Sequence, residues 1–483
     1  MMRKLAILFV LLTIISCKKN NSDTSSEKLD KKVTHNREIN KYSIDQFYKN
    51  KAIGGGSFNN KETKLLVSNN ETGIFNVFEI NIADGKSIQT TFSKKESFFV
   101  IDEVPGSNQF LYTADKGGDE NNHIYLVKEK GEVVDLTPGE KVKAGFVKWS
   151  NNNKAMFYYS NKRDTKFFDI YKMNTKDWKP KMIYQNNEGL NVDAISSDEN
   201  LLGMSKSITT SEDKLFLYNR KTKKSTKISK EPGSYSSSGF SKDNQYYFYL
   251  TNVGKEFTYL VKYEITTGKK ETIFETNWDV ANSYLSKNEK YRIVSINEDG
   301  KNNLIILDNK TGKKIEFPAI PDGDIKGVSI SDSEKLMRLT VGTSKSPNNI
   351  YVYNFETKKL KQLTNTLNPE LNLDDLVSAE VVRFKSFDGL EIPAIYYKPL
   401  TASENNKVPA LVFVHGGPGG QSRVGYSSLI QFLVNHGYAI LAVNNRGSSG
   451  YGKTFNKMDD LNHGDKDLKD CIWGKKWLQD QNY

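Results

Sequence analysis

"FSKDNQYYFYLTN", residues 240–252, places an aromatic residue and a serine before a polar turn, and follows the turn with a strand-like run. The same order recurs in "WSNNNKAMFYYS" (149–160), "ISSDENLLGMS" (195–205), "LSKNEKYRIVSIN" (285–297) and "ISDSEKLMRLTVG" (330–342). The lead serines stand at 150, 196, 241, 286 and 331, so the intervals are 46, 45, 45 and 45 residues. The same step backwards reaches Gly106 in "VPGSNQFLYTAD" (104–115) and Asn59 in "SFNNKETKLLVSN" (57–69), which makes seven units. Each unit also carries a second pair of strand-like runs around a turn, as in "YLVKYEITTGKKETIFE" (259–275) and "LIILDNKTGKKIEFPA" (304–319). A period in the forties with about four short strands per unit is the pattern of propeller blades, none of which buries its sheet without neighbours. The expectation is an all-β propeller of about seven blades over residues 42–370. Single polar residues in its turns, such as His123, Arg163 or Ser344, read as framework, because blade turns are rich in them.

A chain of 483 residues leaves room for a second domain beside the propeller. With 37% hydrophobic and 11% aromatic residues there is ample core material, and a mean hydropathy of −0.60 excludes a multi-span membrane protein. The formal charge of +11 is dispersed lysine, much of it in hairpin tips such as "KTKKSTK" (221–227) and "TTGKKE" (266–271). No basic patch interleaved with stacking aromatics is present, so nucleic acid is not an expected partner.

The N-terminus, "MMRKLAILFVLLTIISCKKN", has the basic pair Arg3 and Lys4, an apolar run from Leu5 to Ile15, then Ser16 and Cys17. The pattern is that of an export signal (1–16). Ile14-Ile15-Ser16-Cys17 resembles the bacterial lipobox, which implies lipidation of Cys17 and a membrane-anchored lipoprotein facing the periplasm or the cell exterior. Residues 17–41 are polar and charged and read as a flexible tether. Order is expected from "YSIDQFYKN", where Ser43 and Gln46 have capping-box spacing and Ile44, Phe47 and Tyr48 share a helix face. With Cys17 lipidated, the one other cysteine, Cys471, has no disulfide partner and reads as a buried thiol.

The repeat ends at the connector "TNTLNPELNLDDL" (364–376), after which strand-like and helix-like segments alternate to Tyr483. That alternation predicts an α/β domain over 377–483. Leu411 to Val414 is wholly apolar, the pattern of a strand buried on both faces. It runs into His415-Gly416-Gly417-Pro418-Gly419-Gly420, and the helix behind carries Leu429, Phe432, Leu433 and His436 on one face. Glycines at a strand's end leave N–H groups unscreened, and such donors stabilise a developing oxyanion. The final helix, from about Asp465, is read with Leu468, Ile472 and Leu478 on its inner side.

"HGGP" after an apolar strand, followed by "NHGYAILAVNNRGSSGYG" (435–452), resembles the opening of the hydrolase domain of the prolyl oligopeptidase family of serine peptidases, in its acylaminoacyl-peptidase and dipeptidyl-peptidase-like branch. The propeller, "DKGGDENNHIYL" (115–126) and "SNKRDTKFFDIY" (160–171) are similar to that family as well. The resemblance implies an α/β-hydrolase domain, of which 377–483 is the N-terminal part, and hydrolysis of short peptides through an acyl-enzyme with the propeller gating access. It implies oxyanion-hole backbone at Gly416 and Gly417, with Pro418 shaping the turn. His415 precedes the expected nucleophile and reads as a turn-stabilising hydrogen-bonder, and Arg446 as a donor that orders the loop above the site.

The Gly-x-Ser-x-Gly elbow that delivers the nucleophile fits no serine of the chain: Ser449 has Tyr451 two residues on, Ser448 has Arg446 two before, and Ser344 has Ser346 two after. The reading is of a chain truncated before its catalytic serine and inactive by itself, with the triad expected after Tyr483. No cofactor is expected, nor a metal centre, since no His, Cys and carboxylate set has ligand spacing. Two other readings use the same features: an exported propeller lipoprotein that binds peptide or protein partners, and an α/β-hydrolase esterase.

Overall fold

A computed structural model of the protein describes residues 38–417 and 419–483. The expected export signal, the expected lipidation site at Cys17, the expected tether up to residue 37 and Pro418 lie outside the described residues. Residues Ile39–Tyr483 form one unit.

Seven antiparallel sheets follow one another along the chain, over 53–89, 99–135, 144–184, 191–227, 235–274, 279–308 and 324–362. Six have four strands in sequence order, and the sixth sheet has three, with its outermost segment reduced to a single bridge between Leu307 and Lys314. Each sheet is one blade. Every pair of neighbours shares a buried apolar cluster: Leu66 and Val77 meet Phe110 and Tyr112 between blades 1 and 2, and Ile293 and Ile306 meet Met337 and Leu339 between blades 6 and 7. The ring closes in the same way, with Leu65, Val67 and Ile80 of blade 1 packed on Ile350, Val352 and Leu363 of blade 7. No strand is exchanged across this junction.

The repeated serine has a structural task. Each is buried, and each Oγ accepts the N–H of the residue five positions on: Ala155 to Ser150 at 3.0 Å, Leu201 to Ser196, Tyr246 to Ser241 and Tyr291 to Ser286 at 2.9 Å, and Leu336 to Ser331 at 3.2 Å. The serine thus closes the turn between the first two strands of its blade. Three residues after it the backbone turns left-handed, with φ of 57° at Asn153, 63° at Glu199, 60° at Asn244, 61° at Glu289 and 60° at Glu334. That conformation costs a side-chain-bearing residue about 1–2 kcal/mol, and several of these side chains offset it by latching the preceding blade. Ser197 N–H donates to Asn244 at 2.7 Å, Lys242 N–H to Glu289 at 2.6 Å, and Asn288 N–H to Glu334 at 2.8 Å. At the closing junction Ser333 N–H donates to Glu62 at 2.6 Å.

The segment Ile44–Tyr48 forms the short helix α1 with its capping box intact, but it adds no strand to a blade. Of its expected apolar face only Phe47 is buried, while Ile44 and Tyr48 are exposed. Phe47 packs with Tyr42, Leu367, Leu371 and Leu376 against Tyr426 and Phe432.

Beyond the connector a four-stranded sheet has the spatial order Glu380–Lys385, Glu391–Tyr397, Ala439–Val443, Ala410–Val414, with the last two parallel. Helix α2 (Ser428–Asn435) and helix α4 (Lys466–Gln479), with the single turn α3 (Lys453–Asn456) between them, complete the α/β part. Three sequence expectations are corrected here. Ala439–Val443 is buried throughout, but the Ala410–Val414 strand, read as buried on both faces, is an edge that pairs on one side only, leaving Leu411, Phe413 and Val414 exposed. Helix α2 buries Ile430 and Val434 while Leu429 is exposed. Helix α4 turns Leu468 and Ile472 outward and buries Asp470, Cys471, Gly474 and Leu478. Its approach is set by Gly474, where a Cβ would stand 3.2 Å from Leu441 and Val443 side chains. The Cys471 thiol is buried as expected, and burial pushes it up to about 11.

Blades 5, 6 and 7 hold this second part. Glu256 of blade 5 accepts both the N–H (2.6 Å) and the hydroxyl (2.8 Å) of Thr454 at the start of α3. Arg423 donates to Asn297 at 3.1 Å and Asn302 at 2.8 Å on blade 6, and Gln431 donates to the Ser344 carbonyl of blade 7 at 2.8 Å.

Candidate active site

The parallel pair Ala410–Val414 and Ala439–Val443 delivers two loops side by side, 415–422 and 444–452. Asn444, fully buried, ties them: its Oδ1 accepts Ser422 N–H at 2.6 Å, and its Nδ2 donates to the Ser422 carbonyl at 3.0 Å and to Tyr451 Oη at 2.9 Å. Ser449 N–H donates to the Gly420 carbonyl at 3.1 Å.

His415 sits 2.8 Å from Ser448 Oγ through Nε2 and 3.0 Å from the Gly416 carbonyl through Nδ1. Ser448 is fully buried and its Oγ also lies 2.6 Å from the Asn445 carbonyl, so the hydroxyl is held between the imidazole and the backbone. The pair is a brace between the loops, not a nucleophile and its base. No signal in the sequence pairs His415 with Ser448.

Gly416 and Gly417 are exposed, and neither N–H donates to a described residue. A Cβ on Gly416 would meet nothing within 4 Å, so folding of the described residues places no steric demand for glycine there. Gly420 is different: its Cβ would lie 2.0 Å from the Gly416 carbonyl oxygen and 2.7 Å from His415 Nδ1. Gly419, at φ 74°, carries the left-handed step of the turn. The sequence reading singled out the first two glycines of the run and overlooked the two that the turn itself requires.

Arg446 is nearly buried and lies between two carboxylates. It reaches Asp470 through Nε at 2.9 Å and Nη2 at 2.8 Å, and Asp388 through Nη1 at 2.8 Å and Nη2 at 3.0 Å; its own N–H also donates to Asp470 at 2.9 Å. Asp470 accepts the Ser386 hydroxyl as well, at 2.5 Å. These hydrogen bonds push the Arg446 guanidinium above its ordinary range and hold Asp388 down to about 2. The arginine therefore anchors the 444–452 loop to helix α4 and to the 386–390 turn.

Between this loop and the propeller lies a cavity of about 290 Å³ lined by Ser234, Asn252 and Asp279 on one side and Ser449, Gly450 and Lys453 on the other. Gly450 and Gly452 let the loop meet the blades closely: a Cβ would stand 2.3 Å from Asn297 at the first and 2.5 Å from Glu256 at the second. The arrangement supplies free backbone donors on one loop and an open cavity lined by the other, while no described serine stands on a strand-to-helix elbow.

Residues 89–366 match the family described as "Prolyl oligopeptidase, N-terminal beta-propeller domain", and residues 424–483 match "Prolyl oligopeptidase family". Dipeptidyl aminopeptidase BIII of Pseudoxanthomonas mexicana is 25% identical over 384 residues, which cover 77% of this chain and 56% of that protein. Dipeptidyl peptidase family member 6 of Caenorhabditis elegans is 24% identical over 462 residues, covering 85% and 60%. The chain thus spans between half and two thirds of the length of these relatives. A Mycobacterium tuberculosis puromycin-hydrolyzing peptidase has the same fold, with a TM-score of 0.74 at 13% identity over 92% of this chain and 74% of the other. Propeller, connector and α/β part occur in the order that these matches require, and the chain belongs to the prolyl oligopeptidase family.

Proposed function

We propose that the protein is an exported serine-type peptidase, dipeptidyl-peptidase-like, that hydrolyses short peptides through an acyl-enzyme. The observation that carries this reading is the pair of exposed N–H groups at Gly416 and Gly417, neither donating to a described residue, at a strand's end where a Cβ on Gly416 would meet nothing within 4 Å. Open space above a donor serves an approaching substrate oxygen, and one such donor contributes about 3–4 kcal/mol to transition-state stabilisation. In this reading Gly417 N–H, supported by Gly416, binds the oxyanion. His415 and Arg446 hold the two loops in register, and the propeller restricts entry to peptides small enough to reach the cavity. The serine nucleophile and its histidine base belong to sequence after Tyr483, since no described serine has elbow geometry. Lipidation at Cys17 would tether the enzyme to a membrane on the periplasmic or external side.

The test is to extend the reading frame past Tyr483 and assay the product. A Gly-x-Ser-x-Gly within roughly 30 residues, labelling of that serine by a fluorophosphonate and cleavage of dipeptidyl anilides are expected, with none of these activities from residues 1–483 alone. Absence of the elbow, or cleavage of esters but not of anilides, overturns the reading. Metabolic labelling with a palmitate analogue should mark the wild type and not Cys17→Ser.

A further inference from the structure

Outside the two loops of the candidate active site, the fold assembles a set of side chains that the sequence shows only at intervals of four: Asp459, His463 and Asp467. They come from three different local structures. Asp459 ends a 3₁₀ turn, His463 lies on the loop after Leu461, and Asp467 is in the first turn of α4. One donor atom from each lies within 4.8 Å of the others. His463 Nδ1 is 2.9 Å from Asp467 Oδ2 and 3.7 Å from Asp459 Oδ2.

The geometry points to a divalent-cation site formed by Asp459, His463 and Asp467, with a mixed nitrogen and oxygen donor set that suits Zn²⁺.

Three observations carry it. The first is Asp459: its side chain is only 8% exposed, and its carboxylate and that of Asp467 face the same imidazole, at 3.7 and 2.9 Å. Burial pushes its carboxyl upward from the ordinary range. Two largely buried carboxylates beside one another repel, and a cation between them and the imidazole offsets that repulsion. The second is the division of labour within Asp467. Its Oδ1 accepts Gly464 N–H at 2.8 Å and Leu468 N–H at 2.9 Å, which satisfies the helix start and leaves Oδ2 turned to His463. The third is spacing. Tetrahedral ligands at Zn²⁺ distances are roughly 3.3 Å apart, so the 3.7 Å pair needs to close and the 2.9 Å pair to open by only a few tenths of an ångström. His463 is 69% exposed, which gives an entry path and leaves a position for water.

The site has a structural consequence. The Asp459 carboxylate lies against Gly447, where a Cβ would stand 2.1 Å from its Cγ. Gly447 is flanked by Arg446 and Ser448, the two residues that anchor and brace the 444–452 loop. A cation here holds the Asp459 carboxylate in place against that loop.

The test uses the full chain, freed of metal with a chelator and titrated with ZnCl₂ by calorimetry, together with melting curves with and without Zn²⁺. Wild type should bind about one equivalent and melt higher with the metal. Loss of a partner that only supports a ligand weakens binding roughly 10- to 100-fold, so His463→Ala and Asp459→Asn should each weaken it at least that much and abolish the melting shift. His436→Ala, altering an exposed histidine elsewhere, should leave both unchanged. The exposed position of His463 makes its variant safe for folding. Absence of saturable binding in the wild type, or equal binding by wild type and His463→Ala, overturns the assignment.

Discussion

Glycine usually stabilises a position with left-handed backbone, and at Glu334 it should do the reverse. Glu334 has φ 60° and Lys223 has φ 59°, so the two share one conformation. Replacing a side-chain-bearing residue by glycine there relieves about 1 kcal/mol of backbone strain. Lys223 is exposed and its side chain makes no hydrogen bond or ion pair with a described residue, so Lys223→Gly should stabilise the propeller by about that amount. Glu334 is 5% exposed and its Oε1 accepts Asn288 N–H at 2.8 Å and Lys290 N–H at 3.3 Å, together with the Ser286 hydroxyl. Bonds to a charged acceptor contribute about 1.5–3 kcal/mol each. Losing the two backbone bonds at the low end costs about 3 kcal/mol, against a gain of about 1, for a net loss near 2 kcal/mol. Urea unfolding followed by far-ultraviolet circular dichroism measures both variants. If the two glycine variants shift the midpoint in the same direction, or if Glu334→Gly is as stable as wild type, the latch between blades 6 and 7 does not have the weight assigned to it.

Asp470→Ala leaves the buried Arg446 guanidinium with Asp388 alone and should cost about 3–5 kcal/mol, read as loss of the second domain's protection from proteolysis before the propeller melts. Asp388, held at about 2 against an ordinary 3.8, contributes stability that is complete above about pH 4 and is lost as pH falls towards 2. Asp388→Asn should therefore flatten the fall of the urea midpoint over that window, and an unchanged acid limb would refute the assignment. Gly416→Ala, placed in open space, should change stability by less than about 0.5 kcal/mol, whereas Gly420→Ala collides with the Gly416 carbonyl and should lower the melting temperature. In the extended protein Gly416→Ala should nevertheless depress kcat, and retention of full activity would argue that no substrate approaches there.

The propeller was legible because its signal is local and repeated: a serine, a left-handed residue three later and a strand are dictated by one hydrogen-bonded turn, and five copies at steps of 45 or 46 residues reinforce one another. The missing outer strand of blade 6 was not, since Leu304 to Ala319 alternates as well as its counterparts do and yet pairs only through Leu307 and Lys314. In the α/β part, apolar content indicated strands and helices but not what covers them. Leu411–Val414 and Ala439–Val443 read alike in sequence, and only the sheet order separates an edge from a centre. On helix α4 the inward face was misread because its burial is organised by Asp470 and Gly474, a salt bridge and a close approach, rather than by leucines. Contacts between distant loops, such as His415 with Ser448, leave no periodic trace.

The junction that closes the ring sets a condition on how the protein is made. Blade 1 emerges first from the ribosome, yet the apolar face of Leu65, Val67 and Ile80 finds its cover only in Ile350, Val352 and Leu363. About 270 further residues must be synthesised in between, which at 5–20 residues per second takes roughly 15–50 s. Throughout that interval the first blade presents an unprotected greasy flank to whatever is nearby. The nascent polypeptide thus has cause to be kept from meeting its neighbours until its last blade has arrived.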